Sequence, residues 1–150
     1  MRLRVHAPVA GRVLTLAEVP DPVFAEEIVG PGLAIDPTGA GEVTARAPVD
    51  GRVVKLHPHA FVLLAADGRA VLVHLGIDTV ELAGSGFTLH AAEGQQVRVG
   101  EPIVTFDPVA VAAGGRSPVV PVIALDGAAE VLDRLASAQV TAGEPIFDWL

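Results

Sequence analysis

With no cysteine in 150 residues, any chemistry must come from His, Asp, Glu or hydroxyl groups. Two of the five histidines are spaced to act together. His59 and His74 bracket two β-prone apolar runs that meet at Asp67-Gly68. Asp-Gly between such runs signals a tight hairpin, because a type I′ turn needs positive φ at both central residues. With those residues as the turn, paired positions sum to 135, so Phe61 faces His74 and His59 lies one diagonal step away. Residues two apart on a strand share a face. Both imidazoles are then expected on one side of the sheet, with Cβ atoms ~7–8 Å apart, able to grip one small group. Beyond His74 the chain leaves the strand at Gly76 and offers Asp78 on the same parity, suited to orient an imidazole, recruit a partner's arginine or cap a turn.

Imidazole, with an ordinary pKa near ~6.5, keeps a large neutral fraction at neutral pH and can serve as nucleophile, base or metal ligand. The sets His57-Pro58-His59 and His74-x-x-x-Asp78 suit zinc, which makes a zinc hydrolase one rival reading. Pro58 stiffens the chain between the first two histidines and counts against it. The stretch Gly94–Ile103 resembles the surroundings of a biotin- or lipoate-bearing lysine, but the only lysine, Lys55, falls within a predicted strand. Gly30-Pro31-Gly32 lacks the Lys-Ser/Thr and the following helix of a phosphate loop. Gly114-Gly115-Arg116-Ser117-Pro118 reads as a loop.

The elements that must position the histidines are short. Sixteen Gly and twelve Pro cut the chain into β-branched segments, among them Gly11–Leu16, Gly32–Ile35, Glu42–Arg46, Gly51–Leu56, Ile103–Phe106 and Val119–Ala124. This pattern predicts an all-β sandwich or barrel in one domain spanning 1–150. Helical periodicity is confined to a turn or two at Val23–Val29 and a short segment near Ala128–Ala136. Pro37-Thr38-Gly39-Ala40-Gly41 reads as a surface loop. Ala7-Pro8-Val9-Ala10-Gly11-Arg12-Val13 returns as Ala47-Pro48-Val49-Asp50-Gly51-Arg52-Val53, and Gln96–Ile103 returns as Gln139–Ile146. Two ordered pairs imply interlocked copies of one β-unit about a pseudo-twofold. No apolar run is long enough for a transmembrane helix, and no signal-peptide core follows the basic start, so a cytoplasmic location is expected. A net charge of −8 disfavours nucleic acid and anionic membrane as partners and favours a basic protein.

The chain resembles the glucose-family enzyme IIA (EIIA) domain of the bacterial phosphoenolpyruvate-dependent sugar phosphotransferase system. The blocks that carry the resemblance are Ala7–Gly11, Val19–Gly30, Pro37-Thr38-Gly39, Ala47–Gly51, His59-Ala60-Phe61 and, most specifically, Val73-His74-Leu75-Gly76-Ile77-Asp78-Thr79-Val80-Glu81-Leu82. It implies a flattened antiparallel β-sandwich with a duplicated hybrid motif. It also implies a phosphoryl relay without a cofactor, from the phosphocarrier HPr to a cysteine on the EIIB domain of a sugar permease. On that reading His74 becomes the phosphohistidine, His59 supports the phosphoryl group, and the Gly76 carbonyl fixes the tautomer of His74. Asp21 and Asp78 meet basic groups of HPr, and Val23, Phe24, Ile28, Val29, Leu72 and Val80 form an apolar docking ring. A regulatory module whose phosphorylation only switches target proteins is the second rival. Three departures stand out: the matching segment starts almost at Met1, without the amphipathic membrane-associating helix common in similar proteins; Leu56-His57-Pro58-His59 is short and lacks a threonine that often supports the first histidine; and Leu72 replaces a common aromatic.

Overall fold

The computed structural model describes residues 2–37 and 41–150; the expected loop and family block at Thr38-Gly39-Ala40 lie outside them. The described strands are β1 (Leu3–His6), β2 (Gly11–Leu14), β3 (Gly32–Asp36), β4 (Val43–Arg46), β5 (Gly51–His57), β6 (Ala60–Leu64), β7 (Ala70–His74), β8 (Phe87–Leu89), β9 (Gln96–Val97), β10 (Pro102–Phe106), β11 (Val120–Ala124), β12 (Leu132–Arg134), β13 (Gln139–Val140) and β14 (Pro145–Trp149). Two short helices join them, α1 (Pro22–Ala25) and α2 (Pro108–Ala113). An eight-stranded antiparallel sheet runs β13-β2-β3-β11-β7-β6-β5-β9, and two three-stranded sheets run β1-β14-β12 and β4-β10-β8. The main core, including Phe61, Leu63, Val73, Phe106 and Phe147, is fully buried. A smaller cluster of Leu14, Leu16, Val19, Phe24, Ala34, Ile77, Val119 and Ile123 packs together beside it.

The pseudo-twofold is visible in the hydrogen bonds. His6 N–H donates to Pro48 O at 2.9 Å, and Arg46 N–H donates to Pro8 O at 2.9 Å. Leu3 pairs with Trp149 as Val43 pairs with Phe106. Gln139 pairs with Arg12 as Gln96 pairs with Arg52. Each half therefore closes on strands from both ends of the chain, as two interlocked repeats require. The axis falls between β7 and β11, where Val73 and Val122 pair with each other. On either side, Ala60 opposite His74 matches Gly32 opposite Ile123. His74 and the buried Ile123 are thus equivalent positions.

The six expected strand segments all form. The segment Ala128–Ala136 does not become a helix. It makes a single 3-10 turn at Ala129–Val131 and then enters β12. Pairing of Leu132 with Trp149 satisfies its backbone and overrides a weak helical pattern. The helix α2 was not signalled by periodicity but is legible in its caps. Asp107 accepts from Val109 and Ala110 N–H, Pro108 occupies the first turn, and Gly114 ends it.

The β6–β7 register differs from expectation by one. Paired residues sum to 134, with Ala60 opposite His74 and Phe61 opposite Val73. The reason lies in the turn. Only Gly68 has positive φ there (+91°); Gly68 N–H donates to Ala65 O and Ala65 N–H to Arg69 O. The loop is therefore Ala66-Asp67-Gly68, three residues ending in a left-handed glycine, in place of a two-residue type I′ turn. Arg69 fixes its tip, ion-pairing with Asp67 at 2.7 Å and lying 5.2 Å over the Trp149 ring.

Candidate functional site

His74 ends β7, and the chain then turns away through Leu75, which is fully buried. Gly76 takes φ +82°, where a Cβ would meet Thr79 Cγ2 at 2.7 Å, so only glycine fits without strain. Its N–H donates to Val119 O at 3.0 Å, and the following Ile77 N–H donates to Ser117 O at 2.9 Å. The buried Thr79 hydroxyl donates to Leu75 O at 2.8 Å. Pinned on both sides, the Gly76 carbonyl accepts from His74 Nδ1–H at 2.6 Å. A neutral His74 therefore carries its proton on Nδ1 and keeps the lone pair on Nε2. The expected contact of Gly76 with His74 is present; Thr79, which locks that loop, was not singled out in the sequence.

The one-residue register change would place His59 and His74 on opposite faces were both on the ladder. They nevertheless meet, with ring centroids 5.3 Å apart at 70°. His59 is not on a strand. It is the second residue of the two-residue turn Pro58-His59 between His57 and Ala60, which pair across it. Strand alternation does not bind a turn residue, so its side chain reaches the face of His74. Leu75 N–H donates to His59 O at 2.7 Å, fastening that turn to the end of β7.

The long β2–β3 connection supplies the third wall. Asp21 caps α1 by accepting from Val23 N–H at 2.9 Å, and Pro22 presets the first turn. The helix delivers Phe24, 6% exposed, with its ring 5.2 Å from that of His74. Burial pushes the His74 pKa below the usual imidazole value, opposed by the Gly76 carbonyl and by the charges of Asp21 and Asp78. Burial likewise lowers His59, reinforced by His74 and then His57. Both rings are thus held toward the neutral, nucleophilic form.

Around this pair the remaining predicted residues separate into exposed and packed groups. Val23, Ile28 and Val80 are exposed at 40%, 67% and 60%. Phe24 is core, and Val29 and Leu72 pack partly buried against the second cluster. Asp78 is exposed in a left-handed conformation (φ 61°) ahead of the 3-10 turn Thr79–Leu82, so its charge reaches His74 from a loop and not from strand parity. Lys55 lies in β5 opposite Val62. Among the described residues, no group of three or more His, Asp or Glu side chains is placed to hold a metal ion. Nor is any helix among them long and apolar enough to cross a membrane.

Comparison with known proteins agrees with this fold. Residues 3–129 match the family described as phosphoenolpyruvate-dependent sugar phosphotransferase system, EIIA 1, and the chain belongs to that family. It serves as a phosphocarrier component of that system. The fold is similar to that of the glucose permease IIA from Mycoplasma capricolum, with TM-score 0.91 and 34% identity over 100% of this chain and 97% of that one.

Proposed function

We propose that His74 is the phosphoryl acceptor and that residues 1–150 act as one cytoplasmic unit carrying the group from HPr to the EIIB domain of a sugar permease. The observation that supports this most is the 2.6 Å bond from His74 Nδ1–H to the Gly76 carbonyl, which leaves Nε2 as the nucleophilic nitrogen. In the forward step the Nε2 lone pair attacks the phosphorus of the donor's phosphohistidine. A new N–P bond forms, the donor's N–P bond breaks, and its electron pair returns to the donor nitrogen. In the onward step the acceptor cysteine thiolate attacks that phosphorus: an S–P bond forms, the His74 N–P bond breaks, and its electron pair returns to Nε2. No bond energy is lost to water, so positioning and charge supply the catalysis. The His59 ring, 5.3 Å from that of His74, supports a role for its ring nitrogen as a donor to the transferred oxygens. Exposed Val23, Ile28 and Val80, with the carboxylates of Asp21 and Asp78, form an apolar and acidic docking face for a basic partner. Incubation with phosphoenolpyruvate, enzyme I and HPr should give an acid-labile, base-stable adduct that is lost in His74→Ala. An adduct of unchanged yield in that variant would refute the assignment.

A further inference from the structure

His57 has no part in the phosphoryl transfer itself, yet its ring stacks on that of His59. The centroids are 5.7 Å apart and the planes only 22° from parallel. Three imidazoles therefore stand in series, His57 face-on to His59, and His59 edge-on to His74. The middle ring, half-buried, touches a ring on each side, whereas that of His57 is exposed. His59 belongs to a two-residue turn, its backbone fixed by the Leu75 N–H bond, its side chain only partly buried and outside the sheet's side-chain register. A partly buried turn side chain has several staggered rotamers open to it. His57, by contrast, is the last residue of β5 and is paired with Ala60, so its own backbone is set by the ladder. Pro58 stiffens the only link between them. It also packs near Gly84, where a Cβ would meet Pro58 Cγ at 3.3 Å.

We propose that His57 is a positioning residue: its ring is a back wall that holds His59 against His74 and keeps it from swinging to solvent. The contact is a flat ring face, so what His57 supplies is aromatic area carried on a backbone position that the β5–β6 ladder sets. The inference rests on His59 supporting phosphoryl transfer, and it assigns a role to the residue that precedes it by two.

The test compares His57→Ala, His57→Phe, His57→Gln and His59→Ala in the full chain. Phosphoryl acceptance from phospho-HPr and onward transfer to an EIIB domain are timed separately. His57→Ala is expected to accept phosphoryl at His74 within about twofold of wild type. Its onward transfer should slow by roughly tenfold, the scale on which loosened positioning costs rate. The maximal rate should fall while half-saturation by EIIB stays put. His57→Phe should restore the rate, because a planar ring remains; His57→Gln, polar but not planar-aromatic, should not. Wild-type transfer by His57→Ala beside an impaired His59→Ala would overturn the role of His57 alone. Rescue by Gln but not Phe would overturn it too, in favour of a hydrogen-bonding role. If His59→Ala itself transfers normally, the reading of His59 fails, and with it the premise. Side-chain NMR of His59 supplies an independent readout. Its ring resonances should show rotamer averaging in His57→Ala and a single conformer in His57→Phe, and unaveraged signals in both variants would overturn the proposal.

Discussion

The two pseudo-equivalent halves differ most where each joins its second strand to its third. Between β5 and β6 the link is the two-residue turn Pro58-His59, whereas between β2 and β3 the chain spends residues 15–31 on a 3-10 turn and α1. Yet the anchoring bond is the same: Leu75 N–H to His59 O at 2.7 Å has its counterpart in Ala124 N–H to Pro31 O at 2.8 Å. Around the axis, His59 corresponds to Pro31 and His74 to Ile123. One repeat thus kept a bare turn and acquired the imidazoles. The other grew a long connection whose Phe24 packs on His74 and whose Asp21 acts on its charge. Neither half alone makes the site. Symmetry supplied the frame, and function came from breaking it.

The largest expected effect tests whether that asymmetry can be undone. Ile123→His places an imidazole at the position equivalent to His74, but this site is fully buried, and Leu125, the counterpart of Gly76, does not take its left-handed backbone. It should cost about 3–4 kcal/mol, for a buried polar group without a partner plus lost packing. No second acid-labile adduct should form, which urea denaturation and phosphoryl counting would check together. Next comes Phe24→Ala, which removes the wall contributed by the other half. It should destabilise by about 3 kcal/mol, and NMR titration should find the His74 pKa higher than in wild type, because burial is the leading cause of its depression. His59→Ala should still accept phosphoryl while passing it on about a hundredfold more slowly, or about 2.7 kcal/mol in barrier. Separate timing of the two transfers distinguishes this from a general loss.

A smaller effect follows from proton linkage. Both site histidines have folded pKa values below the ordinary 6.5, so the unfolded chain takes up protons first as pH falls. Stability should therefore be fully present above about pH 6.5 and decline from there down through the folded values. His74→Gln should flatten that decline in a melting series from pH 8 to 5. The acceptance rate should hold as pH passes below 6.5, with a half-point lower than that of free imidazole. The smallest effect contrasts one matched cross-strand pair. Arg4 donates to Asp148 at 2.9 Å where the other half has Thr44 and Thr105 sharing a hydrogen bond at 2.8 Å. Thr44→Val should cost about 1 kcal/mol at any ionic strength, whereas the fall in Tm caused by Arg4→Met should shrink as salt rises.

Much of this was legible because it depends on local chemistry. Gly/Pro punctuation and β-branched runs mark strands by what they exclude, and the duplicated Ala-Pro-Val and Gly-Glu-Pro blocks carried the pseudo-twofold directly. The histidines also meet as expected, but for a different reason. Asp67-Gly68 can close either a two- or a three-residue loop, and the choice was made by the Arg69 contacts with Asp67 and Trp149, the latter 80 positions away. That shifted the register by one, and His59 stayed in reach only because it sits in a turn. The helix predicted near Ala128–Ala136 failed for a similar cause: the edge of β14 offered pairing that no local window contains. Burial of Phe24, as against exposure of Val23, is equally a matter of which face the second cluster covers.

The closing pair of this fold, Leu3 opposite Trp149, has a consequence for biosynthesis. During translation the segment carrying both histidines leaves the ribosome before β14 exists, and β1 must wait for its ladder partner across the intervening strands. Folding is then governed by contacts of very large sequence separation, which places it among the slow, millisecond-to-second β-topologies. Until β14 follows, the edge of β1 that it covers stays open, so the strand that begins the fold is among the last to be secured.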